Sequence, residues 1–529
     1  MRPAILATLA MLLLAGCEAT APGGGETALA GPASGPFVPV TAVAMNRLAD
    51  PPPPDLPPRP PSTPIPGFRA VSDAPVTTIP LGADTASYGM ARRVLRMGRW
   101  PAADAVRPEE FLNAFAFAYP PATRAQPLAP FVAVLPAPWD ASRRLLHIGI
   151  RALDPPRGER PALNLTFLID ASVSMFAADR MPIIVEGIRA LMPSLGERDR
   201  LSIISYAAGT RPLLEQMRGD RRVFIEAALD ELRPGGGSPG AGGMETAYGV
   251  AGRNLDAGAI NQVILVTDGD FGLGAASPQA LEAMIRARRE RGIRLGTITV
   301  GLDAPADTTM RGLAHAGGGV HGFAADGAGF LRLVNEEIAR NRAIAAQAVR
   351  LEVEFNSFRV QEYRLVGFTS RPLGRADFEA DQLGAGEIPA GRALTAVFEL
   401  AAPVTAFRPF ADPRQAERAI LSASGDGSDP GNDYAALRIR HTPPAGGESR
   451  MLRRAVTERD WRPTLAAASA ESRFAASVVG FALMLRRAEG INWPYAAIAD
   501  TAAQAIGDNP DGQRPDFVAL VRAAAALRP

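Results

Sequence analysis

The hydrophobic positions between residues 161 and 342 follow two alternating periods. Apolar runs of strand length occur at 163–169, 201–206, 263–267 and 293–300. The segments between these runs place apolar residues every three or four positions, as on one face of a helix. Strands that alternate with helices predict βαβ units and a doubly wound, mostly parallel sheet covered by helices. We therefore expect an α/β domain over residues 161–342.

The pattern changes after residue 342. Residues 349–355 alternate apolar and charged positions, and residues 394–400 repeat this two-residue period. Such alternation predicts antiparallel strands with one buried face. Helical patterns follow at 474–487 and 517–527. Residues 343–529 are thus expected to form an antiparallel β and helical domain.

Two different segments precede the α/β domain. Residues 81–160 show two helical patterns followed by strand-like alternation, which predicts a small N-terminal helical cap and strands. Residues 18–80 are rich in Gly, Pro, Ala and Thr, with a proline run at 51–61. This composition cannot bury a core and favours an extended spacer.

The amino terminus has the organisation of a bacterial lipoprotein signal. A cationic start is followed by an apolar run over 4–14, too short to span a bilayer, and by Leu14-Ala15-Gly16-Cys17. This pattern resembles the lipobox, which implies that residues 1–17 carry the signal and that Cys17 is acylated. Glu18 favours outer-membrane sorting, so we expect a lipid-anchored protein facing the periplasm. An ordinary signal peptide with an incidental cysteine is the alternative.

Charge and composition exclude several classes of function. Arg residues number 56, Lys is absent, and 55 acidic residues leave a net charge of +1. A nearly neutral chain lacks the field that holds a nucleic acid, so no nucleic-acid partner is expected. Without lysine there is no Walker A loop and no Schiff-base chemistry. A single cysteine rules out an internal disulfide and a Cys-based zinc cage.

Polar residues follow three elements of the predicted α/β domain. Asp170, Ser172 and Ser174 come directly after the first strand, Ser238 lies in a glycine loop, and Asp268 ends a later strand. In an open α/β sheet, the carboxyl ends of the strands border the crevice where ligands bind. Carboxylate and hydroxyl oxygens without sulfur or imidazole predict a hard cation such as Mg²⁺.

These residues resemble the metal-ion-dependent adhesion site of the von Willebrand factor type A domain. The resemblance implies that Ser172, Ser174 and Ser238 coordinate Mg²⁺, Mn²⁺ or Ca²⁺, while Asp170 and Asp268 hold the ion through water. It further implies that an Asp or Glu of a protein partner completes the coordination. Two positions depart from the family pattern: Val173 replaces the usual glycine, and Ser238 replaces a threonine.

The resemblance extends over almost all of the chain after the spacer. Residues 84–119 are similar to a short block that precedes the A domain in a group of bacterial lipoproteins. The segments 353–356, 362–367 and 386–388 look like the uncharacterised domain that follows it there. The function implied is metal-dependent protein binding, as adhesion or scaffolding, and not catalysis.

Four other interpretations compete with this one. The triplet that begins at Asp170 could be a helix N-cap with spare hydroxyls. Gly235-x-Gly237-x-x-Gly240 formally matches a dinucleotide fingerprint, and Gly236-x-Ser238-x-Gly240 matches the nucleophile elbow of a serine hydrolase, but both motifs need a preceding strand where a helix is predicted. The hydrolase would also need His315, His321 or His441, of which the first two are expected in loops. Finally, the metal site could have decayed, with Val173 as the hint.

Overall fold

The computed structural model describes residues 66–82, 84–156, 158–207, 209–236, 240–269, 271–272, 277–302, 307–368, 386–402, 433–509 and 512–527. The predicted lipid-anchor residue Cys17, the proline run and Ser238 lie outside these ranges. Among the described helices, none combines the length and the apolar character needed to cross a bilayer.

The strands, in chain order, are β1 (Arg69–Ala70), β2 (Val76–Ile79), β3 (Leu128–Ala137), β4 (Asp140–Ala152), β5 (Leu163–Asp170), β6 (Arg200–Tyr206), β7 (Thr210–Arg218), β8 (Ile260–Thr267), β9 (Ile293–Thr299), β10 (Gly318–Phe323), β11 (Ile344–Phe355), β12 (Glu362–Leu365), β13 (Gly386–Pro389), β14 (Ala393–Ala401), β15 (Ala435–Thr442) and β16 (Arg450–Val456). The helices are α1 (Ala86–Arg96), α2 (Pro108–Asn113), α3 (Met181–Leu191), α4 (Arg222–Glu231), α5 (Gly240–Arg253), α6 (Pro278–Glu290), α7 (Asp307–Ala316), α8 (Gly327–Arg340), α9 (Ala470–Leu485), α10 (Tyr495–Ala503) and α11 (Arg514–Ala526).

The α/β domain has a doubly wound sheet, as its alternating periods predict. The strand order is β10-β9-β8-β5-β6-β7, and every neighbouring pair is parallel except β6 with β7. Helices α3, α4 and α8 share a core with one face, while α5, α6 and α7 pack on the other. The central strands β5 and β8 are buried along their whole length, which explains their continuous apolar runs.

Three elements of this domain escaped the sequence pattern: strand β7, helix α7 and strand β10. Helix α7 carries His315, and strand β10 carries His321, although both histidines were expected in loops. His321 is buried, and its Nδ1 lies 2.9 Å from the Thr297 hydroxyl of β9. Strand β10 has no strand-like pattern in the sequence because it is rich in glycine. Glycine is needed there because the neighbouring strand leaves little room for side chains: a Cβ on Gly319 would lie 2.2 Å from the Leu295 carbonyl oxygen.

The remaining strands form two antiparallel sheets to which both sides of the chain contribute. The first has the order β1-β12-β14-β4-β3, and the second has the order β13-β11-β15-β16, with β2 paired to β11. Both sheets therefore combine strands from before and after the α/β domain. Strands β1 and β2 also lie inside the range expected to be spacer, so the chain enters the sheets from Arg69 onwards.

Helices from the two ends of the chain likewise share one core. Aromatic residues of α1, α2 and the loop after it pack against α9 and α11. Phe115 contacts both Phe474 and Phe517 edge to face, with ring centroids 5.1 and 5.4 Å apart. Such contacts add to the free energy gained by area burial. The helices before the α/β domain are thus stabilised by the carboxyl-terminal helices.

Candidate metal centre

The candidate site lies where three neighbouring strands of the parallel sheet end. Strand β5 is paired on one side with β6 and on the other with β8, and the register aligns Asp170 with Tyr206. The last residue of β8, Thr267, reaches the same level. Because parallel strands end at one edge, the loops after β5 and β8 meet there. The site residues separated by about a hundred positions are brought together in this way.

Asp170 is fully buried and is held by three donors. Its Oδ1 accepts the backbone N–H of Ser172 at 2.8 Å, and its Oδ2 accepts the hydroxyls of Thr267 at 3.1 Å and Tyr206 at 3.3 Å. Burial raises the pKa of the Asp170 carboxyl, and the nearby charge of Asp268 adds to this effect. Burial also raises the pKa of Tyr206, which keeps its phenol protonated as a donor.

The two serines of the triplet converge on one point. Their hydroxyl oxygens lie 2.9 Å apart, and Ser172 is nearly buried. Ser172 stands at the N-cap position of a short 3₁₀ helix, Val173–Phe176, but its side chain makes no capping bond. The N-cap interpretation therefore does not account for this hydroxyl, which faces Ser174 instead.

Val173 fits the loop without backbone strain. Its φ lies outside the left-handed region that favours glycine, and its side chain is 59% exposed. Its N–H donates to the Gly236 carbonyl at 3.3 Å, and the N–H of Gly235 donates to the Ala171 carbonyl at 2.6 Å. These bonds tether the loop that leads to Ser238, although Ser238 itself lies outside the described residues.

The segment before that glycine loop is a helix, as the sequence predicted. Helix α4 ends at Glu231, and residues 232–236 carry no strand. The strand that should precede a nucleophile elbow or a dinucleotide fingerprint is therefore missing before Gly235.

Asp268 contacts a cation that the sequence did not single out. The Arg180 guanidinium, on the residue before α3, forms an ion pair with the Asp268 carboxylate and donates to the Ser174 carbonyl at 3.0 Å. Asp268 is nearly buried. Arg180 has no sequence signal of its own, because it is one of 56 arginines and 88 positions separate it from Asp268. It belongs to the site by geometry.

The donor set fits a hard divalent cation. Asp170, Ser172, Ser174 and Asp268 lie together and present carboxylate and hydroxyl oxygens, the ligands that Mg²⁺ prefers. No group of three or more His, Cys, Asp or Glu side chains with metal-binding geometry occurs in the described part of the chain. A cation at this edge of the sheet would therefore depend on the two serine hydroxyls.

Family models match three parts of the chain. Residues 342–527 match the model described as "Uncharacterized protein YfbK, C-terminal", residues 165–271 match "von Willebrand factor type A domain", and residues 63–147 match "von Willebrand factor". The predicted combination of an N-terminal block, an A domain and a distinctive C-terminal region is thereby confirmed.

Individual proteins are also similar to this chain. "Uncharacterized protein YfbK" of Escherichia coli K12 is 34% identical over 469 residues, which cover 86% of this chain and 79% of that protein. A von Willebrand factor type A structure from Catenulispora acidiphila is 15% identical with a TM-score of 0.40, covering 77% of this chain and 91% of that one. The ArnB paralog VWA2 from Sulfolobus acidocaldarius is 11% identical with a TM-score of 0.35, covering 76% and 98%.

Proposed function

Because the chain belongs to the YfbK family of proteins with a von Willebrand factor type A domain, we propose that it is an envelope lipoprotein that binds a protein partner through a divalent cation. The A domain indicates a protein-binding or adhesion-type role in general terms. The cation, the acidic partner residue and the lipid anchor are the finer parts of the proposal.

One observation supports the metal most strongly. The hydroxyls of Ser172 and Ser174 meet 2.9 Å apart beside the buried carboxylates of Asp170 and Asp268. Neutral hydroxyl ligands leave the charge of a divalent ion under-compensated, so an external carboxylate is attracted to it. Ser172, Ser174 and, outside the described residues, Ser238 would hold the ion directly. The ion would supply a docking point for an Asp or Glu of the partner.

The rim of the site suits a protein partner. Val173 and Phe176, on the 3₁₀ helix that carries Ser174, are 59% and 67% exposed. Exposed large apolar side chains next to a polar site are typical of interaction surfaces. We expect the partner to place apolar residues beside its acidic residue, where these two side chains would cover them.

The envelope location depends on Cys17 and the spacer after it. Acylation of Cys17 would hold the folded part at a bacterial membrane, and several acyl chains on one residue give durable attachment. Replacing Cys17 by Ala should move the mature protein from the membrane fraction to the soluble fraction. A wild-type protein that is already soluble in cells would contradict the anchor.

The metal is tested by thermal unfolding with and without Mg²⁺. A ligand that binds only the folded state stabilises it by about 2.7 kcal/mol at a hundredfold excess over Kd. We expect this stabilisation in the wild type and its loss in the double variant Ser172→Ala, Ser174→Ala. Ser142→Ala is the matched control, because the Ser142 hydroxyl bonds Asp140 at 2.7 Å in the antiparallel part of the molecule. If Mg²⁺ stabilised all three proteins equally, the metal would not bind at this site.

The partner is tested by affinity capture from envelope extracts. Wild type in Mg²⁺ should retain a protein that wild type in chelator and Asp268→Ala release. A partner retained equally under all three conditions would show that binding bypasses the site, and the adhesion mechanism would then be wrong.

A further inference from the structure

Arg180 occupies a position in the candidate metal centre that the oxygen ligands do not explain. Its guanidinium bridges two loops, since it pairs with the Asp268 carboxylate after β8 and donates to the Ser174 carbonyl after β5. The side chain is 13% exposed, and that of Asp268 is 4% exposed. A cation is therefore built into the site from the protein itself.

The surrounding backbone makes room for this side chain. Gly301 follows β9 with a φ of +79°, and a Cβ added there would lie 2.6 Å from the Arg180 Nε. The backbone of Arg180 is fixed at the start of α3, because its N–H donates to the Ala177 carbonyl and its own carbonyl accepts the N–H of Ile183, both at 3.1 Å. The guanidinium is thus directed at Asp268 by a shaped pocket and an anchored backbone.

The charges explain why a cation is held there. Asp170 and Asp268 are both nearly buried, and they lie on adjacent loops, since the hydroxyl of Thr267, next to Asp268, donates to the Asp170 carboxylate at 3.1 Å. Two buried carboxylates repel each other, and a nearby guanidinium reduces the cost of keeping them together. A divalent cation would perform the same neutralisation, so the guanidinium and the metal compete for the Asp268 oxygens.

We propose that Arg180 is a tethered competitor of the metal, which lowers the affinity of the site until Arg180 leaves Asp268. This inference rests on the proposed metal-dependent function and adds a control on it. A displaced guanidinium stays beside the loops after β5 and β8, where it can pair with the incoming carboxylate of the partner. Metal and acidic partner therefore strengthen each other's binding, and either alone binds more weakly.

The test compares metal affinities of full-length variants by titration calorimetry with Mg²⁺ and Mn²⁺. Arg180→Met should raise the affinity by a factor of about ten or more, in the range of typical coupling between ligands. Arg189→Met is the matched control, because Arg189 also belongs to α3 but pairs on the surface with Glu226 and Asp230 instead of Asp268. It makes the same change in net charge, and its affinity should equal that of the wild type.

A second readout does not depend on measuring a Kd. In chelator, Arg180→Met should melt several degrees below the wild type, because the Asp268 carboxylate loses its counter-ion, and Mg²⁺ should restore the loss. Arg189→Met should show neither effect. Arg180→Gln, which keeps a donor for the Ser174 carbonyl, provides a second uncharged variant if Arg180→Met does not fold.

The outcomes separate this inference from the proposed function. If the wild type binds metal and the uncharged Arg180 variants bind it equally well or more weakly, Arg180 does not compete, although the metal site stands. If neither the wild type nor any Arg180 variant binds metal, both proposals are wrong. A gain in affinity confined to the Arg180 variants supports both.

Discussion

Two buried clusters in this molecule each combine two carboxyl groups with an arginine but differ in their charge balance. The first is the candidate metal centre around Asp170. The second joins the N-terminal block to the α/β domain, where Asp84 accepts the His321 N–H at 2.9 Å and pairs with Arg311 at 3.1 Å. Arg311 also reaches Glu110, at 2.6 Å. We call this second group the Asp84 cluster.

The carboxyl groups of Asp84 and Asp170 respond differently to burial. Burial by itself would raise the pKa of Asp84, but its interactions with His315 and Arg311 outweigh this and lower the pKa to about 2. At Asp170, burial raises the pKa, and the neighbouring Asp268 charge increases the shift. The charged form of Asp84 therefore stabilises the fold, whereas the charged form of Asp170 is held at a cost.

Such a difference is expected between a structural cluster and a candidate binding site. The Asp84 cluster is closed by Arg311 of α7, which pairs with Asp84 and Glu110 of the N-terminal block, so it stabilises the docking of that block. In the candidate metal centre, the Arg180 guanidinium pairs with Asp268, and the Asp170 carboxylate and two serine hydroxyls lie beside this pair. A site that keeps unfavourable charge in the folded state gives up stability for binding.

The largest loss of stability should come from removing the guanidinium of the Asp84 cluster. Arg311→Met leaves Asp84 and Glu110 buried without their shared guanidinium, and removing one partner of a buried ion pair costs about 3–5 kcal/mol. Urea unfolding should show this loss. Arg96→Met is the control, because the Arg96 pair with Asp516 is about half exposed and should contribute less than about 1 kcal/mol. Equal losses in the two variants would contradict the comparison.

Replacing Asp by Asn should change the free energy of unfolding in different directions in the two clusters. Asp84→Asn should lower the free energy of unfolding by about 2–3 kcal/mol, because a favourable buried charge is lost. Asp170→Asn in chelator should leave stability unchanged or raise it by up to about 1 kcal/mol, because a buried charge beside Asp268 is removed. Denaturant unfolding at pH 7 measures both. A large loss in Asp170→Asn would show that its charge supports the fold.

The stabilisation that the ionised Asp84 carboxyl contributes should be lost within a defined range of acid pH. The folded-state pKa of about 2 lies below the ordinary value of 3.8, so the stabilisation is present above pH 3.8 and is lost as pH falls towards 2. The loss over this window should reach about 2 kcal/mol in the wild type. The Asp84→Asn variant should lack this part of the pH dependence, and identical unfolding curves for the two proteins would contradict the assignment.

The smallest effect should come from Val173→Gly in the metal centre. The Val173 backbone is not in the left-handed region, and the residue is largely exposed. Glycine should therefore lower the free energy of unfolding only through the added entropy of the unfolded chain, by less than about 1 kcal/mol. Metal affinity should not change. A clear gain in affinity by titration calorimetry would show that valine distorts the loop, as expected for a decayed site.

The amino-acid pattern by itself determined the α/β domain and four strands of its sheet, β5, β6, β8 and β9. Strands with both faces buried read as continuous apolar runs, and this identified β5 and β8 together with the polar residues that follow them. Ser277 and Pro278 are a local signal for the start of α6, where the Ser277 side chain accepts the N–H of Ala280. These features depend on neighbours along the chain, so they are visible in a local pattern.

Only the tertiary structure decided which distant segments meet. The strands before the α/β domain pair with strands after it, as β4 does with β14, and the helices at both ends share one core. Arg180 reaches Asp268 across 88 positions for the same reason. An ion pair between loops leaves no periodic trace in a sequence, and the alternation within a strand does not indicate which strand it pairs with. Periodicity reports which face of an element is buried, whereas the partner on that face is selected by packing and charge.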